Sequence, residues 1–124
     1  MDTTPHKRIL LIDDNPATRE ATSMILAATG YCVALAGNGA DALLRLREHR
    51  PPDLILLDLA MPVVDGRQFR REQQKDPALA AIPIVVFSAA EQAPEEAAAL
   101  GACGCLVKPV DPSRLLQVVR ECCA

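Results

Sequence analysis

A chain of 124 residues, half of them hydrophobic, is long enough to bury one core and too short for two ordinary domains. Charges of both signs are mixed along it, which argues against disorder, and a net charge of −3 with a pI near 5.3 offers no broad electrostatic reason to bind nucleic acid or an anionic membrane. The longest apolar runs are far shorter than a membrane span and residues 1–8 are too polar for a signal peptide, so the expected setting is the cytoplasm.

Arg8-Ile9-Leu10-Leu11-Ile12 is the first aliphatic run without polar alternation, and it ends in Asp13-Asp14. Asn15-Pro16 supplies an N-cap and a first helical residue; Ala17, Ala21, Met24, Ile25 and Ala28 recur at helical spacing until Gly30. Tyr31 to Ala36 reads as a second strand, and Gly37-Asn38-Gly39 turns into a helix over about Ala40 to Glu48, broken by Arg50-Pro51-Pro52. Leu54 to Leu57 are four consecutive large aliphatics between Pro and Asp, the pattern of a strand buried on both faces, and Asp58 stands where the run stops. Pro62 and Asp65-Gly66 defer the next helix by several positions, so Asp58 is not its cap.

Asp65-Gly66 opens a third helix, apolar at Phe69 and polar at Arg67, Arg70, Arg71 and Lys75, which ends at Asp76-Pro77. Its basic side reads as a solvated face. Ile82 to Phe87 is a fourth strand ending in Ser88-Ala89-Ala90, and Pro94-Glu95-Glu96 forms the first turn of a fourth helix that Gly101 stops. Cys105-Leu106-Val107 is a short fifth strand ending in Lys108-Pro109. Asp111-Pro112 caps a last helix with Leu115, Leu116, Val119 and Cys122 on its buried side.

Strand and helix alternate five times with short joins, and no strand has the period-two pattern. That is the signature of a parallel sheet covered on both faces, an open doubly wound α/β domain. All carboxyl ends of such a sheet share one edge, where ligands bind. That edge collects Asp13, Asp14, Asp58, Ser88 and Lys108. Singly, each has a plain explanation: acids start helices, a serine serves in a loop, and a lysine ends a strand in solvent. Five polar residues converging on one edge are much harder to explain that way.

Three carboxylates brought together repel one another and must take up protons or bind a cation; hard oxygen donors suit Mg²⁺. A carboxylate is also a competent nucleophile toward phosphorus, and phosphoryl transfer needs mainly charge neutralisation and in-line placement. Lys108 can pair with one phosphoryl oxygen and the Ser88 hydroxyl can donate to another. No general base stands ready to hydrolyse the product quickly. The five cysteines, Cys32, Cys103, Cys105, Cys122 and Cys123, read as reduced thiols acting as small hydrophobes, with cross-linking between molecules through the terminal pair Cys122-Cys123 in air an artefact of handling. A metal site from Cys103-x-Cys105 with Cys122-Cys123 has the wrong spacing for a zinc knuckle and no nearby His.

Asp13-Asp14 after the first strand, Asp58 followed by Met61-Pro62 and Asp65-Gly66, Ser88-Ala89 after the fourth and Lys108-Pro109 after the fifth resemble the receiver domain of bacterial two-component response regulators, over about residues 7–122. The resemblance implies a flavodoxin-like five-stranded parallel sheet of order 2-1-3-4-5 with five helices, forming a single domain over 1–124 with no output domain. It implies Asp58 as phosphoacceptor and a Mg²⁺ ion held by Asp14, Asp58 and the Ala60 backbone carbonyl, with Asp13 acting through water. It further implies Ser88 as the switch hydroxyl, Lys108 as the cationic partner and a cis bond before Pro109.

The implied partners are a sensor histidine kinase or histidine phosphotransfer protein, and a downstream protein or second copy on the face formed by the fourth helix, fifth strand and fifth helix. Neither nucleic acid nor membrane is a direct partner. The implied role is that of a switch, not of an enzyme turning over a substrate.

The chain departs from the family at several positions. Receivers commonly carry Tyr or Phe three residues before the lysine, where this chain has Cys105, and often Phe after the Lys-Pro pair, where it has Val110. Ala60 and Ala90 supply no side chains beside the phosphoryl group, and the segment from Ser88 to Lys108 is slightly short. The competing hypothesis is therefore a receiver-like interaction module whose output no longer depends on phosphate. An aspartyl-phosphate hydrolase would need a second acid two residues after its nucleophile, where Ala60 stands.

Overall fold

The computed structural model describes residues 7–48, 50–59, 66–88 and 93–123. Five strands, β1 (Arg8–Ile12), β2 (Cys32–Ala36), β3 (Leu54–Asp58), β4 (Ile84–Ser88) and β5 (Gly104–Val107), pair in parallel in the order β2-β1-β3-β4-β5. Residues of β3 and β4 are buried throughout, as the unbroken aliphatic runs require. The edge strands β2 and β5 are only partly covered, which is the cost of ending a sheet.

Alternation along the strands divides the core in two. Ile9, Leu11, Leu54, Leu56, Val85, Phe87 and Leu106 pack on one face, with Leu26 of α1 (Pro16–Ala28) and with Leu115, Val118 and Val119 of α6 (Pro112–Cys122). Leu10, Ile12, Ile55, Leu57, Ile84 and Val86 pack on the other, with Leu43 and Leu46 of α2 (Gly39–Glu48), Phe69 of α3 (Gly66–Lys75) and Ala97 of α5 (Ala93–Ala99). Each buried Leu or Ile contributes roughly 1.5–3 kcal/mol, so these two layers supply most of the driving force.

Local signals set the helix ends. Asn15 accepts from the amides of Ala17 and Thr18, and Asp111 accepts from that of Arg114. Gly30 and Gly101 take positive φ (102° and 70°) where the chain leaves α1 and α5.

The structure differs from the sequence reading in three places, one of them Arg70, which is buried and not on a solvated basic face. There are six helices among the described residues, not five, because Asp76-Pro77 starts an extra turn, α4 (Pro77–Ala80), with Asp76 accepting from Ala78 N. The cysteines are not all reduced: Cys103, just before β5, and Cys122, at the end of α6, form a disulfide with Cα atoms 6.0 Å apart. Cys32, Cys105 and Cys123 are free. The pairing follows from the fold, since Gly104 lets α6 lie so close to β5 that an added Cβ would sit 2.8 Å from Val118 Cγ1. Among the described residues no helix is long and apolar enough to cross a membrane.

A buried polar knot joins α3 to its neighbours. Arg70 Nε donates to Leu100 O (3.0 Å) at the end of α5, and its Nη1 to Gln73 Oε1 (2.8 Å). Gln73 Nε2 donates to the carbonyls of Leu79 (2.9 Å) and Ile82 (3.1 Å). Burial lowers the pKa of Arg70 from its ordinary value, a cost that the C-terminal dipole of α5 helps offset.

Gln73→Leu removes the side-chain donor to the Leu79 and Ile82 carbonyls and leaves Arg70 Nη1 without its Gln73 acceptor; it should cost about 2 kcal/mol, read as a lower urea midpoint at unchanged slope. The disulfide should be visible directly. Alkylation of the unfolded chain without reductant should modify three cysteines, and all five after reduction. Closing a loop of this length should make the oxidised form about 3 kcal/mol more stable than Cys103→Ser/Cys122→Ser.

Candidate functional site

Asp13 follows β1 directly and stays tied to the sheet through its amide, which donates to Ala36 O (3.1 Å). Its side chain serves two neighbours: Oδ1 accepts from Asn15 N (3.0 Å), which in turn caps α1, and Oδ2 faces Lys108. Arg19 Nη1 donates to the Asp13 carbonyl (2.8 Å), a brace that periodicity alone did not reveal. Asp58 is the last residue of β3 and pairs in register with Phe87 of β4. Asp13 is 0% exposed and Asp58 3%, whereas Asp14 faces solvent.

One carboxylate oxygen from each of Asp13, Asp14 and Asp58 lies within 4.8 Å of the other two. Lys108 Nζ stands 3.3 Å from Asp13 Oδ2 and 3.2 Å from Asp58 Oδ2. Among the described residues three acids therefore face the Lys108 ammonium, and burial of two of them makes bringing them together costly. An all-oxygen donor set with one solvent-facing member fits a hard divalent cation that keeps part of its water shell, such as Mg²⁺. Ala60, the expected carbonyl donor, lies outside the described residues, as do Met61, Pro62, Asp65, Ala89 and Ala90.

Ser88 ends β4 and is 3% exposed; its carbonyl accepts from Lys108 N (3.0 Å), which fixes the start of the lysine's path toward the acids. The Lys108-Pro109 peptide bond is cis. By alternation Asp13, Asp58, Phe87 and Lys108 fall on the α1/α6 face of the sheet, and Ser88 on the other. The ring of Phe87 lies under the ammonium, with Nζ 4.9 Å from its centroid. The sequence reading passed over Phe87, since a ring in an apolar run looks like core and nothing else.

Cys105 is half-buried on β5 beside Val86, packed against the core under α2, α3 and α5. Burial pushes its thiol pKa up, with Arg114 pulling the other way; Cys123 is raised chiefly by burial too. Gly66 opens α3 against the end of β3. An added Cβ there would come 2.9 Å from both Asp58 O and Leu59 Cα, and its amide donates to Leu59 O (3.3 Å).

Sheet order, the acidic corner and the lysine beside it together define a known class. Residues 9–120 match the response regulator receiver domain, and the chain belongs to that family. It is 33% identical over 114 residues to the protein PilH of Pseudomonas aeruginosa, covering 90% of this chain and 93% of PilH. It is 36% identical over 119 residues to the DNA-binding response regulator MtrA of Mycolicibacterium smegmatis, of which it spans only half. Among solved structures it is similar to the chemotaxis response regulator CheY4 of Vibrio cholerae, with a TM-score of 0.87 at 30% identity over 95% of this chain and 99% of that one.

Two outcomes follow from the geometry. Gly66→Ala should force the first turn of α3 off the end of β3, where two of the three nearest obstructing atoms are backbone, and cost about 1–3 kcal/mol in denaturant melts. Thiols react as thiolates, so raised pKa values mean small thiolate fractions at pH 8. Native alkylation at that pH should label exposed Cys32 well before Cys105 and Cys123, read by peptide mass.

Proposed function

We propose that this domain accepts a phosphoryl group on Asp58 from a histidine kinase or histidine phosphotransfer protein and acts as a phosphorylation-controlled switch in a two-component relay. The observation that carries the reading is the Asp13-Asp14-Asp58 cluster with Lys108 bridging Asp13 and Asp58. Mg²⁺ held by Asp14, Asp58 and the Ala60 carbonyl, with Asp13 through water, would neutralise phosphoryl oxygens. A carboxylate oxygen of Asp58 forms the new O–P bond as the donor's P–N bond breaks, and the electron pair returns to the imidazole nitrogen. Lys108 moves its charge onto the transferring group, and the Ser88 hydroxyl donates to another of its oxygens.

The protein's own chemistry is thus limited to accepting the group and losing it slowly; it is a switch rather than an enzyme with a separate substrate. The proposed unit is the single domain over residues 1–124, working in the cytoplasm. Its reader would be a downstream protein or a second copy, docking on α5, β5 and α6. Val107, 52% exposed on β5, supports an apolar contact there.

A phosphate-independent interaction module is the second reading, favoured by Cys105 where receivers commonly carry an aromatic ring. Intact-protein mass after incubation with acetyl phosphate and Mg²⁺ separates the two. A single phosphoryl adduct is expected, lost with EDTA and absent from Asp58→Asn. A folded, Mg²⁺-bound protein that takes no phosphoryl group from acetyl phosphate or from a phosphorylated phosphotransfer domain would sink the switch.

A further inference from the structure

We propose that Phe87 is a positioning residue for Lys108, holding the ammonium over its ring so that it is already placed beside Asp58 before any phosphoryl group arrives. The inference rests on the phosphoacceptor reading above, but the contact itself does not. Lys108 Nζ lies 4.9 Å from the Phe87 ring centroid, within the range where a cation is attracted to a π face. The ring is buried, with 2% of its surface exposed, so the attraction is little screened by water.

Strand register makes the contact. Asp58 pairs with Phe87 and Phe87 with Leu106, so the lysine two residues beyond Leu106 emerges on the face to which the ring belongs. Phe87 is held in turn by the core that includes Leu56, Val85, Leu106 and Leu115. Lys108 is thus fixed from three sides, by Asp13, by Asp58 and by the ring. A flexible four-carbon stem carries considerable rotamer freedom. A ring that removes part of that freedom in advance lowers the entropy lost when the ammonium engages the transferring group.

Phe87 also stands next to Ser88, so a ring adjoins the switch hydroxyl in sequence although none occupies position 105. The two side chains lie on opposite faces of β4. The ring therefore links Lys108 to the α1/α6 core and leaves the Cys105 side of the sheet untouched.

The test replaces Phe87 site-specifically with mono-, di- and trifluorophenylalanine, which drain the ring quadrupole with little change of shape, beside Phe87→Leu. Two readouts are taken. In ¹H–¹³C spectra without any phosphodonor, the Lys108 ε-methylene protons should be shifted upfield by the ring in the wild type and return to ordinary positions in Phe87→Leu. With acetyl phosphate and Mg²⁺, the phosphorylation rate should fall stepwise with fluorine number, and by about fivefold in Phe87→Leu.

A purely structural ring would give wild-type rates across the fluorinated series, and that result overturns the proposal. So does the absence of an upfield shift in the wild type. A wild-type protein that shows the shift yet takes no phosphoryl group would instead condemn the phosphoacceptor reading and leave the positioning contact standing.

Discussion

Leu54, Ile55, Leu56 and Leu57 can be buried together only in a strand covered on both faces, and that requirement organises the rest of the molecule. Covering both faces demands helices above and below. Crossover helices demand parallel strands, and parallel strands bring all their carboxyl ends to one edge. Asp58 is placed by being the residue after the last buried aliphatic. Its burial would be prohibitive alone; Lys108, arriving from β5 two strands away, makes it tolerable. The hydrophobic layers, worth a few kcal/mol per large side chain, thus hold together a set of charges that would otherwise separate.

The acidic edge was legible because its members follow apolar runs directly or, for Asp14, by one residue, and strand ends are where one-dimensional order translates most simply into position. Asp13, Asp14, Asp58, Ser88 and Lys108 needed only the parallel sheet to be brought together. What lay hidden depended on distance across the fold. Asp76-Pro77 marks the end of α3 in the sequence, yet a capping acid before proline is equally a beginning, and here it starts α4. The Cys103–Cys122 pair spans 19 positions and belongs to elements whose approach is set by Gly104, a residue with no signal of its own in the sequence. Arg70 reads as one more charge on a basic face, yet it is buried against the end of α5. An amphipathic stem can place its head inward whenever carbonyls await it.

The arginines of α3 bear on how a change at Asp58 could reach α5. Gly66 seats α3 directly on the backbone of Asp58 and Leu59. The next residue, Arg67, pairs with Glu96 near the start of α5, and one turn on Arg70 holds Leu100 O at its end. The surface pair contributes little by itself, because it is exposed to solvent and salt. The buried bond from Arg70 is the stiffer connection, since breaking it leaves a guanidinium and a carbonyl unsatisfied at once. A shift at the end of β3 is therefore mechanically connected to α5 without any swinging ring on β5.

The opposite face is tied to the same residues by Lys108. In the resting domain one ammonium serves two buried acids, an arrangement in which neither pair is optimal. On the proposed chemistry Asp58 acquires a dianionic group with several acceptor oxygens, and Coulomb attraction favours that group over Asp13. Asp13 then loses its cation while keeping the Asn15 amide, so the change is delivered to the first turn of α1. Phe87 moves or holds with the lysine, and its neighbours Leu106 and Leu115 belong to β5 and α6. Asp58 is thus coupled through Gly66 and α3 to α5, and through Lys108 to α1 and α6. Position 105 supplies none of the contacts on either route, so a cysteine there is compatible with the proposed switch.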